Sequence, residues 1–351
     1  MTKRFVKNGI YAFSMLLIAI FRIMVSEGVL SGFSVLGSDA VWSVVVQVGF
    51  MGVVPFLLYV IYLKISRDKH ALKTIAAEFK YDSLPAGKSW VYIFLISIFA
   101  TFMVTCLSNV WYNLISVIGY TPSVSKPLVY DNIGVLFADI ALTAILPATF
   151  EEFTNRGLCY GANENARFPT FAIILSALMF ALMHTNVTQV FYTFFFGLIT
   201  GALVYVTKSI YPAMFCHFVN NFVAVMRDYG RQTGKGFDFL NKAYGFLLGT
   251  TKGGIIATIL FILVAFLMFV LFLKTSVIES DKRIEKGKEV AFCKATTARL
   301  DNAPLYFAIT LNTLTMPAVM NTMLVFARAA AIWSLLSSAA LRPISGLAPA
   351  P

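Results

Sequence analysis

Five ionisable side chains interrupt stretches that are otherwise almost wholly apolar: Glu151, Glu152, Arg156, His184 and His217. They fall in three short patterns, Glu151-Glu152-x-x-x-Arg156, Phe180-x-x-x-His184 and His217-x-x-x-Asn221. A charge at the centre of a membrane helix costs roughly 2.5–3.5 kcal/mol on insertion scales, so such groups are rarely idle. On a helix, residues four apart share a face, so Glu152 and Arg156 can pair. Glu151 projects about 100° away from Glu152 and is free for other work. One acid neutralised by arginine beside one free acid in a dry site is an arrangement for general-base chemistry. A carboxylate of this kind takes a proton from water, and neutral donors nearby steady the negative charge that then develops.

Each pattern also has a plainer reading. The glutamates and Arg156 can form an ion cluster at a helix end. A single histidine such as His184 on an apolar face is commonly a satisfied packing residue, with Phe180 beneath it one turn earlier. His217 and Asn221 share a face, and such polar residues often serve inter-helix hydrogen bonding in membrane bundles. The third histidine, His70, sits beside Lys69 in a basic loop and reads as solvated. Two of three histidines fall in apolar runs that follow the two-glutamate run, and that coincidence favours one shared site.

The elements that position these residues are membrane helices. The chain has 351 residues, 58% hydrophobic and 13% charged, with a mean hydropathy of +0.77. A soluble domain carries about 25% charged residues. An all-α, polytopic transmembrane helical bundle of about eight spans around a buried polar cavity is expected. A hydrocarbon core of about 30 Å needs about 20 apolar residues per helix, and the qualifying runs are roughly 9–29, 41–63, 90–118, 133–160, 168–187, 188–207, 209–227 and 253–273. Arg22 interrupts the first run and must snorkel or face the bundle. That run continues past Phe21 and lacks a small-x-small cleavage site, so it reads as a retained span.

The net charge of +11 sits mainly at the ends of apolar runs, which makes it a topology signal and a contact for the lipid bilayer; no nucleic acid partner is implied. Basic residues cluster near the N-terminus (Lys3, Arg4, Lys7), in the 64–88 loop, and after the last run (Lys274, Lys282, Arg283, Lys286, Lys288). Alternating spans put all three clusters on one side, so both termini are placed in the cytoplasm, in a bacterial plasma membrane. The 227–252 loop, with Arg227, Arg231, Lys235, Lys242 and Lys252, runs against this locally. An amphipathic helix is expected around 69–80. Cys106, Cys159, Cys216 and Cys293 show no paired spacing and read as free thiols. The chain divides into 1–132 (N-terminal spans and basic loop), 133–228 (the core with the three patterns), 229–292 (a final span and basic segment) and 293–351, a tail of uncertain structure with an apolar stretch near 317–340.

The ordered trio resembles the CPBP family (CAAX protease and bacteriocin-processing, or Abi), which includes the Ras-converting CAAX endopeptidases. Its patterns are EExxxR, FxxxH and HxxxN or HxxxD. They match Glu151-Glu152-Phe-Thr-Asn-Arg156, Phe180-Ala-Leu-Met-His184 and His217-Phe-Val-Asn-Asn221 over roughly 133–228. The resemblance implies an intramembrane endopeptidase acting on a peptide or protein substrate at the membrane. Glu151 would activate water with help from His184. His217 and Asn221 would stabilise the oxyanion, and Glu152, Arg156 and Phe180 would support the site. Family members have been described both as metalloproteases and as glutamate-dependent enzymes needing no cofactor. Glu151, His184 and His217 are the candidate ligands if a divalent metal such as zinc takes part, although no HExxH pair is present. Other readings of the same residues are a non-catalytic membrane scaffold or bacteriocin self-immunity protein of the same fold, and a proton-coupled transporter. No internal repeat supports the transporter.

Overall fold

The structure, a computed structural model, describes residues 2–26, 39–120, 128–165, 169–184 and 186–285. The 293–351 tail, including Cys293 and the apolar stretch near 317–340, lies outside the described residues. Those described form helices and connecting turns with no strand among them. In chain order the helices are α1 (Lys3–Ser26), α2 (Asp39–Val44), α3 (Val54–Ile65), α4 (Ala71–Glu78), α5 (Ser89–Val117), α6 (Ile133–Asp139), α7 (Leu146–Glu152), α8 (Gly161–Asn163), α9 (Pro169–Met183), α10 (Val187–Thr207), α11 (Tyr211–Thr233), α12 (Asp238–Gly249) and α13 (Thr251–Glu285). α5 runs through the middle of the bundle and packs against α10, α11 and α13, while α9 and α10 lie closely side by side.

Among the described residues, six helices are long and apolar enough to cross a membrane: Lys3–Val25, Val45–Ile65, Ser89–Val117, Ile133–Asn163, Val187–Thr207 and Thr251–Arg283. Two of the eight expected runs do not meet that measure. The run at 168–187 yields α9, only 15 residues long, which at 1.5 Å per residue spans about 22 Å, short of the hydrocarbon thickness. The run at 209–227 yields α11, which is long enough but carries His217, Asn220, Asn221, Arg227, Asp228 and Arg231. His217 and Asn221 lie on α11 and His184 directly follows α9, so the shortfall coincides with the polar site. On α13, Ala257, Phe261, Met268 and Phe272 are buried while Ile255, Ile259, Ile262 and Phe266 are exposed. A helix apolar on both faces is what contact with lipid on one side requires.

Among the described residues, three π-helical segments interrupt the α-helices, at Val45–Val53, Ile140–Ile145 and Phe153–Tyr160. The first two lead into helices with a proline in the first turn, Pro55 and Pro147. Proline has no N–H to give and its ring crowds the carbonyl four residues back, so the ladder widens there. In the third, Asn155 Nδ2 donates to the Glu151 carbonyl oxygen at 2.9 Å. A side chain has taken the acceptor that an α-helix would offer to the Asn155 N–H. Glu151 and Glu152 therefore end a seven-residue α-helix set between two wider turns.

The basic segments meet at one end of the bundle. Lys3 and Lys7 pair with Glu78 at 2.6 and 2.8 Å, and Lys80 pairs with Glu164 at 2.5 Å. Glu279 accepts from the Ala86 N–H at 2.7 Å and the Ser89 hydroxyl at 2.5 Å. Burial pushes the Glu78 carboxyl up, but hydrogen bonds from Lys3, Lys7 and Tyr59 outweigh it and hold the group below the usual carboxylate range. The expected helix at 69–80 is α4, which carries Glu78, and His70 before it is exposed. Cys106, Cys159 and Cys216 are buried free thiols.

Candidate active site

The two adjacent glutamates have different surroundings. Glu152 is fully buried. Its Oε2 lies 3.1 Å from Arg156 Nε, and its Oε1 lies 2.9 Å from His217 Nδ1. The Arg156 N–H points off the line to Oε2, so this contact is an ion pair rather than an aligned hydrogen bond. Arg156 Nη2 donates to the Gly197 carbonyl at 3.1 Å and to the Thr200 hydroxyl. The guanidinium also lies 4.8 Å from the centre of the Phe180 ring, a favourable cation–π contact. Close helix packing makes this possible: a Cβ on Gly197 would sit 2.8 Å from Ala177 Cα, so only glycine lets α10 approach α9 this far.

Glu151 is 6% exposed and lines a cavity of about 690 Å³. That volume suits a ligand or peptide segment, since binding sites usually run to about 300–1,000 Å³. Glu151 Oε1 accepts from Gln47 Nε2 at 2.7 Å. Its Oε2 has no hydrogen-bond partner in the protein and lies 4.0 Å from His217 Nε2. That gap is too long for a direct hydrogen bond and is the span one water bridges.

The imidazoles are set by their inner nitrogens. His184 Nδ1 is 2.8 Å from the Phe180 carbonyl oxygen. A carbonyl only accepts, so Nδ1 carries the proton and Nε2 is left as the free nitrogen. The His217 Nδ1 contact with the Glu152 carboxylate likewise places a proton on Nδ1. Phe180 stands between the rings, edge-on to His184 at 5.0 Å and to His217 at 5.6 Å. Asn221 donates one amide N–H to the Thr143 carbonyl at 3.0 Å and accepts from Asn220 at 3.0 Å.

Glu151, Phe180, His184, His217 and Asn221 all line the one cavity, and Glu152 and Arg156 stand behind His217. Three further residues reach this group from the N-terminal helices. Gln47 holds Glu151. Tyr11 donates to Asn155 Oδ1 at 3.0 Å. Arg22 Nη1 donates to the carbonyls of Met183 and His184 at 3.1 and 3.2 Å, where α9 ends. Arg22 thus faces the bundle. Its charge in an apolar run was a visible signal, whereas Gln47, one amide in such a run, gave little. Among the described residues no group of three or more His, Cys, Asp or Glu side chains is placed to hold a metal ion.

Residues 133–223 match the family model of type II CAAX prenyl endopeptidases, Rce1-like. The matched stretch contains all three patterns, in agreement with the CPBP resemblance, and the family is one of endopeptidases. No curated protein and no solved structure matches the chain.

Proposed function

We propose that the chain is an intramembrane endopeptidase that hydrolyses peptide bonds with a glutamate-activated water. The observation that carries this reading is the unpartnered Glu151 Oε2, buried at the cavity wall beside His217 Nε2 at 4.0 Å. A water between them gives one proton to Oε2 as its oxygen bonds to the scissile carbonyl carbon. The carbonyl π electrons move to oxygen and form the oxyanion.

His217 with a proton on Nε2 donates to that oxyanion, and the Glu152 carboxylate behind Nδ1 supports the imidazolium charge. Asn221 has a second amide N–H for the same purpose. His184, with Nε2 free, assists in moving the water's second proton. Collapse of the tetrahedral intermediate breaks the C–N bond, and the proton on Glu151 passes to the leaving amine. Arg156 neutralises Glu152 and keeps that carboxylate from competing as the base.

The test is cleavage of a quenched peptide library by purified protein in liposomes, wild type against Glu151→Gln, each with and without a chelator. Cleavage by the wild type in chelator, absent from the variant, is the expected result. Equal cleavage by both proteins would remove Glu151 from the mechanism. Loss in chelator would bring a metal into it.

A further inference from the structure

The lining of the cavity shows where it opens. Of its lining residues, Tyr112 is exposed and Ser43, Asn109, Gln189 and Arg227 are half-buried, whereas Val104, Glu151, Phe180 and His217 are buried. Ser43 precedes the second apolar helix, whose other end is Ile65. Asn109 and Tyr112 lie in the last third of α5, which begins at Ser89 against Glu279. Gln189 is in the first turn of α10, which ends beside Ile210, whose N–H donates to the Lys80 carbonyl at 3.2 Å. Arg227 is in the second half of α11, which begins where Tyr211 donates to the Tyr81 carbonyl at 3.2 Å. Each element therefore has one end among the basic segments, and its more exposed lining residues lie toward its other end. α5 alone is 29 residues long, so its two ends stand about 43 Å apart.

Charge labels these two ends. Among the described residues, the basic end carries Lys3, Arg4 and Lys7, six Lys or Arg residues in 64–88, Lys208 where α10 ends, and Lys274, Lys282 and Arg283, thirteen in all. The cavity end carries five, Arg227, Arg231, Lys235, Lys242 and Lys252. Lys and Arg near helix ends fix orientation by staying in the cytoplasm.

We propose that the cavity opens on the face of the membrane away from the cytoplasm, and that the peptide it receives is presented from that side. The word peptide rests on the protease reading; the direction of opening does not. A substrate that fits is the extracytoplasmic segment of an exported or membrane-anchored chain. Arg227, at the mouth with its Nε bonded to Asn241 at 3.1 Å, gives the entrance a fixed positive charge that favours acidic segments.

The experiment uses the full chain with Cys106, Cys159, Cys216 and Cys293 changed to alanine, carrying either Tyr112→Cys at the mouth or Lys73→Cys at the basic end. Spheroplasts are treated with a membrane-impermeant maleimide before and after permeabilisation. Tyr112→Cys is expected to label equally in both conditions, and Lys73→Cys only after permeabilisation. The reverse pattern, or labelling of both before permeabilisation, would overturn the proposal. Asn109→Cys replaces Tyr112→Cys if the latter does not accumulate. A quenched peptide added outside right-side-out and inverted vesicles then separates the two readings. Mouth labelling from outside with no cleavage in either vesicle would count against the protease and leave the direction of opening intact. Cleavage confined to inverted vesicles would overturn the direction.

Discussion

Glu151 and Glu152 are neighbours in sequence, yet one lies in a closed polar cluster and the other at an open wall. Around Glu152 both oxygens face a partner, Arg156 or His217, and Arg156 is tied on to α10 through Gly197 and Thr200. Around Glu151 one oxygen is held by Gln47 and the other has no hydrogen-bond partner. The difference separates two uses of buried charge. A carboxylate matched to a cation holds helices in register, and a carboxylate with one oxygen unmatched is available to take a proton. The pair ends α7 just before the helix widens, and the two side chains meet His217 at different ring nitrogens.

The largest expected effect breaks the open side. Glu151→Gln keeps the shape and the Gln47 contact but removes the base, and cleavage in liposomes should fall about 10²–10⁴-fold while the thermal unfolding temperature holds. An equal fall in unfolding temperature would make Glu151 a structural acid like Glu152. Arg156→Met breaks the closed side. It leaves Glu152 buried without its cation, and removing one partner of a buried pair costs about 3–5 kcal/mol. Here the loss should appear first as poor accumulation and a lower unfolding temperature in detergent. A variant as stable as wild type would show that the cluster does not hold the helices.

A smaller effect sharpens the comparison from the N-terminal side. Gln47→Met keeps the volume and removes the donor to Glu151 Oε1. A hydrogen bond to a charged group contributes about 1.5–3 kcal/mol, so kcat should fall about ten- to a hundredfold. KM should not move, because Gln47 touches Glu151 and does not line the cavity. An unchanged kcat would make Gln47 a packing residue.

These two sides also differ in how far the sequence reveals them. The three patterns could be read directly, because Glu, Arg and His are conspicuous in apolar runs and their i,i+4 spacing states which faces they share. Arg22 was conspicuous too, but its partners, the carbonyls that end α9, are about 160 residues away and have no side-chain signature. Gln47 and Thr200 carry no charge, and uncharged polar residues are common in membrane helices. The helical class followed from hydropathy alone. The span count did not, because hydropathy rewards any apolar run: it cannot see that α9 stops at Met183, where Arg22 binds the chain ends, nor that the polar face of α11 is sheltered by the cavity.

The smallest expected effect lies at the basic end, where Glu78 meets Lys3, Lys7 and Tyr59. This is a third acidic cluster, matched to cations as Glu152 is, but one-fifth exposed. Water and salt screen it, so Glu78→Gln should cost only about 1 kcal/mol. Because its partners hold the Glu78 carboxyl below the usual carboxylate range, the stabilisation is complete at neutral pH. It fades as pH falls through that lowered value, where the native carboxyl takes up its proton. The gap in unfolding temperature between wild type and Glu78→Gln should therefore be constant at neutral pH, close in acid, and shrink in high salt. A gap as large as that of Arg156→Met, or one indifferent to salt, would show that burial is not what separates the strong cluster from the weak one.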